Sequence, residues 1–228
     1  MKLRFLAATL AALTLTGGAA LAQDTSSAKG QLSYALGYQL GRQAAESGEG
    51  LDLNTMTRAL QDGYAKKDPA VTVEKMTTAY QGMQQRLQAK AKAAFEKAAV
   101  ENKAKSDAFI TQNKGKAGVK TLPSGVQYRI LEVGTGAKPT QASTVDLEVA
   151  GPYPWGQRPT TAQPAQKMAG MKVSQVEMVA MREALLQMPN GSKWEIALPA
   201  DKAYGADPRT GFPPNVAVVF EVKLDSVK

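Results

Sequence analysis

The sequence predicts an α+β protein: an all-helical N-terminal module, a long connecting helix, and a C-terminal unit of strands wrapped on one short helix. Three observations carry this. Thr72 to about Lys114 runs some forty residues without Pro and with Gly82 as its only Gly, rich in Ala, Lys, Gln, Glu and Met, which are strong helix formers. After Gly118 the texture changes to short alternating apolar runs closed by turn residues. Between two of those runs, Glu183 to Met188 has the composition of one short helix, closed by Pro189, Asn190 and Gly191.

Lys2 and Arg4, the apolar run Phe5 to Thr16, and Ala20-Leu21-Ala22 have the three-part layout of a cleavable secretory leader over residues 1–22. The apolar run is too short for a membrane span, and no other stretch is apolar enough. The expected location is the periplasm or outside the cell. The chain has no Cys, which excludes disulfides, thiol chemistry and lipidation of an N-terminal Cys.

Residues 23–30 are polar and read as a disordered mature terminus. A helical dimerisation module is expected over 31–88. Its first helix starts at Gln31, carries Leu32, Ala35, Leu36, Tyr38 and Leu40, and ends near Ser47-Gly48. Gly37 and Gly41 within it suggest close helix contact. A second helix starts at Asn54 as cap and runs to about Lys66, with Met56, Leu60 and Tyr64 on one face. Asp68-Pro69 breaks the chain before the long helix, which Thr72 caps and Glu74 complements at its positive end. Met76, Tyr80, Met83 and Leu87 step by 4, 3 and 4 along it and form one apolar face. Three helices with so few large apolar residues make a thin core for one chain. Pairing two copies through this face resolves that, so a homodimer is expected.

Residues 89–115 read as a stalk, with Ala91, Ala94 and Ala98 spaced among Lys and Glu. Phe109 and Ile110 read as the point where the C-terminal domain docks on the helix. A polar-all-round stretch of this kind bridges domains; the alternative is one long helix lying across a single core. The net charge is +8, but the basic residues scatter along the stalk away from the aromatic residues. This argues against a nucleic-acid partner and for a solvated helix face.

Residues 116–228 form the last domain. Strands are expected around Val126, Tyr128 and Ile130; Val145, Leu147 and Val149; Trp194, Ile196 and Leu198; and Val216 to Leu224. With neither His nor Cys, the usual nucleophile–base pairs and most transition-metal sites are excluded, and no metal or cofactor is expected. Asp201 and Asp207 have no recognisable partner in the sequence. Any catalysis must come from a shaped pocket.

Several runs in this domain carry a family resemblance. Met188 to Trp194, Pro199, Ala203-Tyr204-Gly205, Pro213-Pro214-Asn215 and Val218-Val219-Phe220 resemble the C-terminal half of the FKBP-type prolyl isomerases. Gly125 to Tyr128, Gly134-Thr135-Gly136 and Val173 to Val176 fit the same family. Ser33 to Gly37 and Phe109 to Val119 look like the dimerisation region and stalk of its macrophage infectivity potentiator-like members. The resemblance implies a half-barrel of antiparallel strands around a helix, a dimer joined at the N-terminal helices, and unfolded or proline-containing polypeptides as partners. It also implies prolyl cis–trans isomerisation with Tyr204 and Phe220 as pocket walls, and Val149, Val176, Met178, Met181 and Phe212 at substrate-binding positions.

The chain departs from the family pattern inside the pocket. Val149 replaces a Tyr, Pro159-Thr160 stands where the family has Phe-Asp, and Phe212 stands where Ile is usual. Glu177 to Met181 replaces a shorter run ending in the Trp floor, and puts Met181 at the floor. These changes imply weak activity, or alternatively a non-catalytic chaperone or binding scaffold using the dimer cleft. Tyr153 and Trp155, set among Pro152, Pro154 and Pro159, read either as a rigid turn or as a loop folded over the pocket or offering a sticky patch.

Overall fold

A computed structural model describes residues 24–161 and 163–228; the leader expected over 1–22 lies outside them. The chain divides into two compact units, with the boundary between Gln84 and Gln85.

The first unit holds α1 (Ala28–Glu46), α2 (Leu53–Tyr64) and the start of α3 (Val73–Lys114). The α1 helix begins ahead of the expected Gln31 because Ser27 caps it, its side chain accepting from the Gly30 N–H at 3.0 Å. The Asp24 carboxylate accepts from Ser26 and Ser27, which holds its pKa at about 2. The cap of α2 is Asp52 rather than Asn54; its carboxylate accepts from the Thr55 N–H. Thr72 does cap α3, accepting from the Lys75 N–H at 3.4 Å. No residue of α1 or α2 is buried. Leu36 is 61% exposed and Tyr38 59%, and space is open around Gly37 and Gly41, so neither glycine mediates a close contact within one chain.

The second unit holds the remainder of α3, six strands and α4. The strands are β1 (Val119–Thr121), β2 (Gln127–Glu132), β3 (Thr144–Pro154), β4 (Gln166–Lys172), β5 (Lys193–Leu198) and β6 (Val218–Val227); α4 spans Val179–Leu185. They form one antiparallel sheet in the order β1-β2-β5-β6-β3-β4. Alternation does the sorting. Val145 and Leu147 of β3, Trp194, Ile196 and Leu198 of β5, and Val218, Phe220, Val222 and Leu224 of β6 all point into one core. That core closes on Ala180, Met181, Ala184 and Leu185 of α4.

Three features of this unit differ from expectation. The short helix lies earlier than Glu183–Met188, because residues 187 and 188 tighten into i→i+3 turns, the Gln187 N–H donating to Ala184 O at 2.9 Å and the Met188 N–H to Leu185 O at 3.0 Å. No side chain caps its start at Met178, so the sequence has no N-terminal signal there. β1 and β4 were not expected. β1 has three residues, and β4, Gln-Lys-Met-Ala-Gly-Met-Lys, is an exposed edge strand with no β-branched residue.

The end of α3 is bound to the sheet rather than solvated. Ser106, buried, donates to Asn215 O at 2.8 Å and accepts from the Ala217 N–H at 2.8 Å and the Trp155 indole N–H at 3.0 Å. Asn102 donates to Pro214 O at 2.9 Å, and the Asn215 side chain donates to Ala99 O at 3.1 Å. Asn113 donates to the Gln127 side-chain oxygen at 2.9 Å, while the Gln127 amide donates to Ile110 O at 2.9 Å. The expected stalk over 89–115 is therefore fastened from Ala99 onward, and the Phe109–Ile110 segment does meet the domain.

β4 is held differently. The Asp146 carboxylate, on β3, accepts from the Ser226 hydroxyl, from the Gly170 N–H at 2.7 Å and from Lys228 at 3.2 Å. Gly170 sits at φ +69°, a conformation glycine adopts freely. The Ser226 hydroxyl foremost, then the Gly170 N–H and Lys228, hold the Asp146 pKa at about 2, below its ordinary 3.8.

These contacts set two expected outcomes. Ser106→Ala leaves the buried Ala217 N–H without its acceptor and lowers stability by about 1–3 kcal/mol; a urea titration that reports an unchanged midpoint refutes the seam as a stabilising element. A carboxylate with a depressed folded pKa stabilises the fold fully above its unfolded pKa and loses that contribution as pH falls through the folded value. Asp146→Asn should therefore flatten the fall in thermal midpoint between pH 4 and about 2, read by calorimetry on both proteins across that window.

Candidate functional site

The sheet wraps α4 but does not close over the face that carries Met181 and Leu185, and there a cavity of about 330 Å³ opens. Met181 and Leu185 of α4 form its floor. Leu147 and Val149 of β3, Phe220 and Val222 of β6, and Met168 and Met171 of β4 form its sides. Gln175, Val176, Glu177 and Met178, leading from the turn at Val173–Gln175 into α4, make one rim. Tyr204 makes the other.

The Tyr204 rim is built from its own loop. After β5, a turn at Ala200–Lys202 ends where the Gly205 N–H donates to Ala200 O at 2.9 Å, and the Asn215 N–H donates back to Gly205 O at 2.7 Å. Tyr204 stacks on Phe212, with ring centroids 4.4 Å apart and planes 26° from parallel. Burial raises the pKa of its hydroxyl, so it stays a protonated donor at neutral pH. That hydroxyl has no hydrogen-bond partner among the described residues. Asp207 caps the next turn, at Pro208–Thr210, and pairs with Arg209 at 2.6 Å. Asp201 pairs with Lys202 at 3.2 Å. Both carboxylates thus have local partners, and neither lines the cavity.

Val149, Val176, Met178, Met181, Tyr204 and Phe220 surround this one cavity. Phe212 does not line it; it packs behind the Tyr204 ring, so its contact is with the wall rather than with a ligand. Met168 and Met171 escaped the sequence reading because β4 did. The register sets them there, Met168 opposite Leu147 and Met171 opposite Val145. Met76 and Tyr80, the front of the expected dimerisation face, are exposed, while Met83 and Leu87 are half-buried.

Pro159 lines a separate, larger cavity of about 500 Å³ with Gly151, Tyr153, Arg158 and Gln163, which shares Val149 with the first. Arg158 pairs there with Glu221 and lies 5.1 Å over the Tyr153 ring. Gly151 is required at its bend, since at φ +117° a Cβ would come within 2.8 Å of Val219 O. Trp155 turns away from both cavities onto α3, with the Lys105 ammonium 3.5 Å over its ring and its indole on Ser106. It is neither a lid nor a free patch.

An antiparallel sheet folded on a short helix, with an apolar cavity between them and a tyrosine on its rim, defines a prolyl-isomerase-type domain. Comparison with known proteins agrees. A family profile described as FKBP-type peptidyl-prolyl cis-trans isomerase matches residues 136–225, and one described as the domain amino-terminal to it matches residues 29–130. The outer membrane protein MIP of Legionella longbeachae is 40% identical over 100% of this chain and 99% of its own length. The FKBP-type 22 kDa peptidyl-prolyl cis-trans isomerase of Escherichia coli strain K12 is 33% identical over 85% of this chain and 93% of its own. The crystal structure of FkpA from Escherichia coli covers 89% of this chain and 98% of that one, with 26% identity and a TM-score of 0.64. The chain belongs to the FKBP-type peptidyl-prolyl cis-trans isomerases, in the group that carries an N-terminal helical domain.

Proposed function

We propose that this chain is an exported, homodimeric folding helper that catalyses prolyl cis–trans isomerisation in the cavity between α4 and the sheet, at a low rate. The observation that carries the reading is the cavity itself: nearly wholly apolar, with the free hydroxyl of Tyr204 at its rim.

Resonance makes the peptide bond planar, with a rotation barrier of about 18–20 kcal/mol. The planar form is the more charge-separated, so water stabilises it more than the twisted form. A prolyl ring seated on Met181 among Val149, Val176 and Phe220 leaves that water behind, and this lowers the barrier. The Tyr204 hydroxyl can donate to the substrate carbonyl. No proton transfer to or from the substrate is needed. Met181 gives an apolar but flexible floor, without the rigid ring face of the family's Trp. Missing pocket groups at about 1–2 kcal/mol each reduce the rate by several decades.

Export is supported by the leader pattern of residues 1–22 and by the likeness to the Legionella longbeachae MIP, an outer membrane protein. No helix among the described residues is long and apolar enough to cross a membrane. Dimerisation is supported by the exposed apolar side chains of the first unit, which a second copy can bury. The second reading, a binding scaffold without catalysis, is favoured by the replacement of ring-bearing and acidic pocket groups by Val149, Pro159, Thr160 and Met181.

Prolyl exchange in a short peptide, followed by NMR, separates the two. The expected result is acceleration by the full chain that falls at least about tenfold in Tyr204→Ala. Met178→Lys, at the cavity's rim, is the second variant and should do the same. A folded protein that leaves the exchange rate at its uncatalysed value supports the scaffold and removes the catalytic reading.

Sedimentation equilibrium tests the dimer. Met76→Lys with Tyr80→Lys should convert a dimer of the full chain to a monomer. A wild-type monomer at about 100 μM, where even weak pairing at a micromolar dissociation constant would saturate, contradicts it.

A further inference from the structure

We propose that the prolyl cavity is also a methionine-oxidation site: the sulfoxides of Met168, Met171 and Met178 close it to prolyl side chains. The inference rests on the reading of this cavity as the prolyl site.

The chain has nine methionines and no cysteine, so its reactive sulfur is all thioether. Four of those thioethers, from Met168, Met171, Met178 and Met181, surround one cavity. They come from three separate places in the chain: β4, the N-terminal cap position of α4, and α4 itself. Accessibility grades them. Met168 is 39% exposed, Met171 and Met178 are half-buried, and Met181 on the floor is 9% exposed. Hydrogen peroxide small enough to enter the cavity meets the outer three first.

The step balances simply. A sulfur lone pair attacks one peroxide oxygen, the S–O bond forms and the O–O bond breaks. The departing hydroxide takes the proton of the transferred oxygen and leaves as water. Sulfur is oxidised by two electrons and the peroxide is reduced by two. The product is reversible by methionine sulfoxide reductases.

The consequence lies in the lining. A thioether is a soft apolar surface; a sulfoxide oxygen is a strong acceptor that wants a donor. Around this cavity the side chains able to donate are Tyr204 and the Gln175 amide. A prolyl ring seated over sulfoxides either strands their oxygens or is held off by their water. Affinity for a prolyl peptide should fall by about ten- to a hundredfold, since each buried unsatisfied polar group costs that much.

The rest of the molecule supplies internal references. Met188 is 0% exposed in the core and should stay reduced while the fold persists. Met76, on α3, lies outside the cavity and on the face read as the dimer contact, so any oxygen it takes up bears on pairing and not on the prolyl cavity.

The experiment treats the full chain with hydrogen peroxide and maps oxygen addition by peptide mass spectrometry. It titrates a proline-containing peptide by NMR before oxidation, after oxidation, and after methionine sulfoxide reductases A and B. A variant with Met168→Leu, Met171→Leu and Met178→Leu, near-conservative in volume, is read only as the ratio of its affinities before and after peroxide.

The expected result is oxidation at Met168, Met171 and Met178 with Met188 untouched, a binding loss that the reductases reverse, and a ratio near one in the leucine variant. Oxidation that spares Met168, Met171 and Met178 overturns the proposal, as does an oxidised cavity that binds as before. So does a leucine variant that loses affinity on oxidation as the wild type does. Absence of peptide binding by the untreated protein sinks the prolyl reading itself; binding that is present but indifferent to peroxide sinks this inference alone.

Discussion

A helix of seven residues cannot hold itself together in water, and α4 is that short. It exists because the inward faces of β3, β5 and β6 share one core with it and take Ala180, Met181, Ala184 and Leu185 out of solvent. The sheet leaves one face of α4 uncovered, the line through Met178, Met181 and Leu185. The apolar residues that would have been core on that face are instead the lining of the cavity. Pocket and core are one hydrophobic cluster, and Met181 and Phe220 belong to both. Few polar groups stand in this cavity because its position in the core excludes them.

How much of this was legible depends on how each residue comes to its place. β3, β5 and β6 bury every second side chain under β-branched and aromatic residues, so alternation reveals them. β4 packs on one neighbour only and draws its apolar contacts from methionine, so nothing in its composition distinguishes it from a loop. Two of the cavity's walls went unseen with it. Tyr204 and Phe220 were legible through their flanking Ala-Tyr-Gly and Val-Val-Phe runs. Phe212 was legible as aromatic but not as the second layer behind Tyr204, because a stacking partner and a lining residue look alike in sequence.

The polar stripe on α3 was missed for a different reason. Asn102, Ser106 and Asn113 sit among lysines and glutamates, and small polar residues in a charged helix read as solvent-facing. Their spacing of four and seven, with Phe109 between, is nonetheless one helix face. That pattern was the available signal. Trp155 was ambiguous for the same reason: its indole N–H meets a serine from the helix, and neither residue announces the other.

The Tyr204 loop leaves β5 after Leu198 and returns through Pro214 and Asn215, and both returning residues are bonded to α3 at Asn102 and Ala99. Asn215 in turn holds Gly205, the neighbour of Tyr204. The loop's freedom to sample other conformations is therefore set by a helix whose bonded turns carry no residue of the cavity. Fraying or twisting of those turns would release the return segment and let the tyrosine ring wander. The long helix is, at this end, a tether on the rim, and its local melting would be felt first as a blurred pocket rather than as an unfolded domain.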